Sequence, residues 1–117
     1  MILNAGGSGW GDNSSLTLLW ENPNTTVAFE GGTINVDRSK YHVLLIVTRV
    51  STTEGLASTN IVIPEALDDT KQQRINSSVG SETSNRFIVL HSDYIEVGSC
   101  SDNTKCIPYR IYGLYPR

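Results

Sequence analysis

Long hydrophobic runs are missing from this 117-residue chain. No stretch approaches the roughly 18 consecutive apolar residues that cross a bilayer as a helix, so no membrane insertion is expected. The opening segment, MILNAGGSGWGDN, has neither a basic region nor an adequate apolar run and does not read as a secretory signal. The chain therefore reads as made in a cytoplasm, or as a piece cut from a longer one. Charge is also sparse. Asp, Glu, Lys and Arg make up 18% of the residues, the formal net charge is −3, and the nine Lys and Arg are scattered along the chain. Nothing in that distribution forms a phosphate-binding surface, and nucleic acid is not expected as a partner.

Cysteine is limited to Cys100 and Cys106, six positions apart. If their flanking segments paired across the intervening turn, the Cα atoms could come within the roughly 4.4 to 6.8 Å that a disulfide needs. The alternative is two thiols kept reduced by assembly in a cytosol. A zinc site would need two further ligands, and the only histidines, His42 and His91, lack suitable spacing. No metal or cofactor is expected.

What the chain does have is Ser, Thr, Asn and Gly between short apolar segments. Residues 1–15 read as a Gly- and Ser-rich arm or linker with one aromatic, Trp10, and residues 16–117 as a single domain. Leu16, Leu18 and Trp20 fall on one face of a strand that the Asn-Pro turn at Asn22 and Pro23 ends. Ile34 and Val36 alternate with Thr33, Asn35 and Asp37, the pattern of a half-buried strand. Further strands are expected around Ile61–Ile63, Ile75–Val79, Tyr94–Gly98 and Ile107–Leu114. Pro64 to Arg74 carries helix-start residues but a single Leu, so it reads as a loop with at most one helical turn. Strands about 8 to 12 residues apart, punctuated by turn residues, predict an all-β fold, an antiparallel β-sandwich of jelly-roll type.

Two strands break the alternation. In Tyr41–Val50, Val43, Leu45 and Val47 make one face apolar while Leu44, Ile46 and Val50 do the same opposite. Arg86–His91 repeats this with Phe87 and Val89 against Ile88 and Leu90. In a two-sheet sandwich the outer faces should be polar, so such strands call for cover outside, most economically by another copy of the chain.

Chemistry-bearing constellations are absent. Neither His42 nor His91 has a nucleophile and an orienting partner at a recognisable spacing. GGSGWG places Trp10 where a nucleophile elbow needs its last Gly. Asp93 with Glu96, and Asp68 with Asp69, read as surface charge, and CSDNTKC as an Asp and Asn turn. The N-x-[ST] triplets at Asn13, Asn24 and Asn76 are ascribed to composition. The chain is not expected to be an enzyme.

The last strand, with Ile107, Tyr109 and Ile111 on one face, reads as paired to Tyr94–Gly98 across the Cys-flanked turn. Pro108, lacking an N–H, suits an edge or the strand's first residues. Trp10, Tyr109, Tyr112 and Tyr115 are the candidate aromatics, either for core and interface packing or as a stacking platform for sugar rings in a carbohydrate-binding module.

Two groups of residues resemble a known domain. Leu18, Leu19, Trp20, Asn22, Pro23, Phe29, Ile34, Val36 and Tyr41 follow one another as in a β domain of phage and prophage minor structural, tail-fibre-type proteins of Gram-positive bacteria. Arg86, Asp93, Tyr94 and Ile95, and then Ile107 to Gly113, resemble its ending, Ile-Pro-Tyr-Lys/Arg-Ile-Tyr-Gly. The resemblance spans roughly Leu16 to Leu114, and its motifs are structural. It implies a virion component, such as a tail-fibre, receptor-binding or minor structural protein. The implied partners are copies of itself in a homotrimer, other virion proteins and host surface polysaccharide. In that family the domain closes a longer polypeptide, whereas here only a short arm precedes it.

Overall fold

The computed structural model describes residues 16–67 and 71–117. Eight strands follow in order: β1 (Leu16–Glu21), β2 (Gly32–Asn35), β3 (Tyr41–Ser51), β4 (Ala57–Val62), β5 (Gln72–Val79), β6 (Glu82–Leu90), β7 (Tyr94–Val97) and β8 (Lys105–Pro116). Among the described residues the only helical pieces are 3-10 turns at Arg38–Lys40 and Pro64–Leu67. Among the described residues no helix is long and apolar enough to cross a membrane.

The strands form two antiparallel four-stranded sheets, ordered β1-β8-β3-β4 and β2-β7-β6-β5, packed as a sandwich. Pairing of β1 with β8 and of β2 with β7 nests the two ends of the chain in jelly-roll fashion. Deeper in, β3–β4, β5–β6 and β6–β7 are plain hairpins. The β5–β6 turn is the two residues Gly80 and Ser81, with Gly80 at φ +58°, a conformation that suits glycine.

The core is aliphatic and largely β-branched, as strand propensity and two-faced packing favour. Ile46, Leu44, Val62 and Ile111 from the first sheet meet Ile34, Ile75, Ile88, Leu90 and Ile95 from the second. One lateral side of the sandwich is stapled by amides: Asn60 Nδ2 donates to Ile46 O and Asn76 O, and Asn76 N donates to Asn60 Oδ1 at 2.8 Å, tying β4 to β5 across the sheets.

Arg86 is the unusual interior residue. It is fully buried in β6, and its hydrogen bonds run to carbonyl oxygens. A guanidinium carries five N–H donors, and here five acceptors meet them. Nε donates to Cys106 O at 2.7 Å, Nη1 to Gly98 O and Asn103 Oδ1, and Nη2 to Asn103 O and Lys105 O. The ring of Phe29 lies 5.2 Å from the guanidinium carbon. Burial lowers the pKa of the group, and the carbonyl cage replaces the water it has lost.

That cage explains the first correction to the sequence reading. β8 does not pair with β7; it lies between β1 and β3, while β7 lies between β2 and β6. The Cys-flanked segment is an arch from one sheet to the other, shaped around Arg86. Cys100 and Cys106 are free thiols, with Cys106 buried and its Sγ directed at Ile75 O. Pro108 consequently sits in a central strand, where a bulge accommodates its missing donor.

Two bulges correct the face assignments. In β1, Leu18 pairs with Tyr112 but Trp20 with Ile111, so the extra residue, Leu19, turns Trp20 inward, away from the face of Leu16 and Leu18. In β8, Arg110 pairs with Val47 and Pro108 with Thr48, leaving Tyr109 as the extra residue, so Ile107, Tyr109 and Ile111 do not share a face.

Arg86→Met should lower the free energy of unfolding by about 3 kcal/mol or more in urea titrations, because several buried carbonyls lose their donors at once. Gly113→Ala should cost about 1–3 kcal/mol in the same titrations, since an added Cβ would lie 2.5 Å from Cγ of Tyr41, whose ring rests on this glycine.

Candidate interaction surface

β3 is hydrophobic on both faces, and register decides what each face meets. Leu44, Ile46, Thr48 and Val50 point into the sandwich and are buried. Val43, Leu45 and Val47 point outward and remain half-buried. Their outward neighbours are set by the pairing. Leu45 stands between Ile61 of β4 and Tyr112 of β8, and Tyr112 in turn faces Leu18 of β1. A full cross-strand row, Leu18–Tyr112–Leu45–Ile61, is therefore apolar apart from one phenol hydroxyl. The next row along, Leu16–Leu114–Val43, repeats this, with Ile63 just past the end of β4.

These side chains are open to solvent: Leu16 is 43% exposed, Leu18 49%, Ile61 64% and Ile63 44%. Outer faces of antiparallel sandwiches are ordinarily polar. A contiguous apolar patch across two cross-strand rows differs from the singly scattered apolar side chains that are ordinary on a protein surface. It stops at a polar row, in which Arg110 Nε donates to Glu21 Oε2 at 2.9 Å and Thr59 follows beyond Val47. Hydrogen bonding to Glu21 raises the pKa of Arg110.

The second apolar strand of the sequence reading behaves differently. Phe87 and Val89 of β6 also point outward, but Arg74 stands beside Phe87, and Gln72 and Glu96 flank Val89. The outer flank of the second sheet is thus largely hydrophilic. An uninterrupted apolar outer face is found beside β3 and not beside β6.

The candidate aromatics distribute unevenly. Trp10 lies outside the described residues. Tyr112 is central to the apolar face, and Tyr109 at the bulge lies under Arg110, whose guanidinium is 4.5 Å from the Tyr109 ring centre and whose Nη1 donates to Tyr112 Oη at 3.5 Å. Tyr115, 60% exposed, stands apart near the end of β8. Sequence reasoning missed Leu16, Leu18, Ile61 and Ile63 as surface residues, because only the strand order brings them beside β3.

The titratable groups make local structural contacts. His42 Nδ1 meets Glu65 Oε2 at 2.8 Å, and the same oxygen accepts from Arg117 Nη2 at 2.9 Å, joining β3, the 3-10 turn at Pro64–Leu67 and the end of β8. His91 pairs with Glu96 and stacks on Tyr94, with ring centres 4.1 Å apart. Asp102 Oδ1 accepts from Thr104 N and Oγ1, and Asn24 Oδ1 from Thr26 N and Oγ1, as Asp and Asn turns do. Asn13, Asp68 and Asp69 lie outside the described residues. Among the described residues no group of three or more His, Cys, Asp or Glu is placed to hold a metal.

The hydrogen bond from His42, helped by Arg117, lowers the pKa of Glu65. A carboxyl depressed on folding stabilises the fold above its unfolded value, near about 4.3, and that stability is lost as pH falls through the folded value. Between about pH 5 and pH 3 the thermal midpoint of Glu65→Gln should therefore fall less steeply than that of the unaltered protein. Parallel acid limbs in calorimetry would remove this role for Glu65.

Comparison of the chain with protein-family models, with curated proteins and with solved structures gave no match.

Proposed function

We propose that this protein is a structural or adhesive component of a phage particle that works by assembling with copies of itself and with other virion proteins. The observation that carries the assembly is the apolar outer face of the β1-β8-β3-β4 sheet, exposed on β1 and β4 and half-buried on β8 and β3 between them. Leaving it in water is unfavourable, at about 25 cal/mol for each Å² of apolar surface, and association removes that penalty. The virion setting rests on the sequence resemblance. Its shared residues act in this chain as framework: Asn22 Nδ2 donates to Pro108 O, Phe29 stacks on Arg86, and the Tyr41 ring rests on Gly113. The same resemblance supports a threefold order and contact with host surface polysaccharide.

A carbohydrate-binding module is the second reading, favoured by the Tyr109–Arg110–Tyr112 cluster beside Glu21 on an exposed face. Retention on host cell-wall polysaccharide, lost in Tyr112→Ala while self-association persists, would support it.

Light scattering at micromolar concentration should give a mass above the 12.8 kDa of one chain, and Ile61→Lys should return it to that value. Because Ile61 is 64% exposed, the charge falls on the surface and spares the core. An unaltered protein that stays at one chain mass would sink the assembly reading. An antibody against the chain should also label intact particles.

A further inference from the structure

We propose that the arch between the two sheets is a one-way redox lock: the chain reaches this fold only with Cys100 and Cys106 reduced, and the finished fold then seals Cys106 from oxidants. The lock is independent of the assembly reading.

The two thiols mark the ends of one short segment, and that segment is committed to Arg86. Four of the five acceptors around the guanidinium, Asn103 Oδ1, Asn103 O, Lys105 O and Cys106 O, belong to residues 100–106. Cys100 N donates to the same Asn103 Oδ1 at 2.8 Å. The Cys106 side chain points away from the segment, with Sγ 3.8 Å from Ile75 O of β5, and the residue is 0% exposed. Cys100 instead follows β7, where Gly98 N donates to Phe87 O of β6. β5 and β7 lie on opposite sides of β6. Neighbouring strands are about 4.8 Å apart, so the two flanks are separated by roughly 10 Å, with Arg86 of β6 between them. A disulfide needs its sulfurs about 2.05 Å apart and its Cβ atoms about 3.8 Å apart. Closing that bond would draw Cys106 Sγ off β5 and turn carbonyls away from the guanidinium, leaving a buried cation short of acceptors.

In the unfolded chain nothing holds the thiols apart, and a loop of six positions closes readily. With glutathione disulfide as the oxidant, one protein thiolate displaces a glutathione thiolate to give a mixed disulfide, and the second then displaces the remaining glutathione. Two electrons and the two thiol protons pass from the protein to the oxidant, which leaves as two molecules of glutathione. In the folded chain the same attack stops at the first step. Cys100 is half-buried and open to reagent, whereas Cys106 is sealed. Burial raises the pKa of the Cys106 thiol, against lesser pulls from the Ser77 hydroxyl and the Arg86 cation, so the reactive thiolate is scarce there.

Refolding from urea into dithiothreitol or into glutathione disulfide tests the lock, with each product read by mass spectrometry and by its thermal transition in circular dichroism. The reducing buffer should return a cooperative transition. The oxidising buffer should give a chain lighter by the two thiol hydrogens, bridged from Cys100 to Cys106 and without that transition, which dithiothreitol should restore. Folded protein placed in glutathione disulfide without urea should keep its transition and carry glutathione on Cys100 at most. A bridged chain that melts like the reduced one, or an oxidising refold that returns native protein with free thiols, overturns the need for reduced cysteines. A loss that dithiothreitol does not reverse overturns the bridge as its cause. Folded protein that becomes bridged in glutathione disulfide overturns the sealing of Cys106.

Discussion

A cation sealed inside a protein must find acceptors for every donor or destabilise the fold by several kcal/mol. Arg86 finds all of its acceptors but one on the main chain, in the segment that carries the polypeptide from the second sheet to the first. Gly98, Asn103, Lys105 and Cys106 turn their carbonyls towards it, and Cys106 adopts φ +51° at the start of β8. Phe29, arriving on the β1–β2 connection, covers the guanidinium and donates its own N–H to Asn103 O. One side chain thereby sets how two crossovers and two sheets meet at this end of the sandwich. At the opposite end Tyr41 lies on Gly113, where no other residue type leaves room, beside the Glu65 contacts to His42 and Arg117.

With both ends and one lateral side held, the first sheet keeps a fixed register, and its outer face follows from it. A sandwich of two sheets buries one face of each. β3 carries aliphatic residues at successive positions, so its inner set completes the core and its outer set is left over. β1, β8 and β4 supply further aliphatic groups in the same rows, which turns a few surplus side chains into a continuous patch. On the second sheet, Arg74, Gln72 and Glu96 keep Phe87 and Val89 from joining into anything comparable. This asymmetry leaves the described residues with one continuous apolar outer face, on the first sheet.

Much of the fold was legible because its signals are local. Alternation at Thr33–Asp37, turn residues at regular intervals and the weak helical pattern at Pro64–Arg74 predict strands and one short turn, and strands with one short turn are found there. Boundaries were less legible. β5 begins at Gln72 and β6 at Glu82, where polar residues face outward and carry no apolar signal. Of the surface, Tyr112 and the outward set of β3 were visible as apolar positions, whereas Leu18 was assigned with Trp20 because a bulge leaves no mark on alternation.

The sequence by itself determined that this chain forms short strands around an aliphatic core, and that β3 has more hydrophobic surface than one core face can use. Tertiary structure alone decided which strands became neighbours, that the Cys-flanked segment is an arch instead of a hairpin, and that the excess on β3 merges into a patch while that on β6 does not. Periodicity is a property of adjacent residues, whereas partner strands are chosen by contacts between residues far apart in the chain, such as Arg86 with Cys106 and Leu45 with Tyr112.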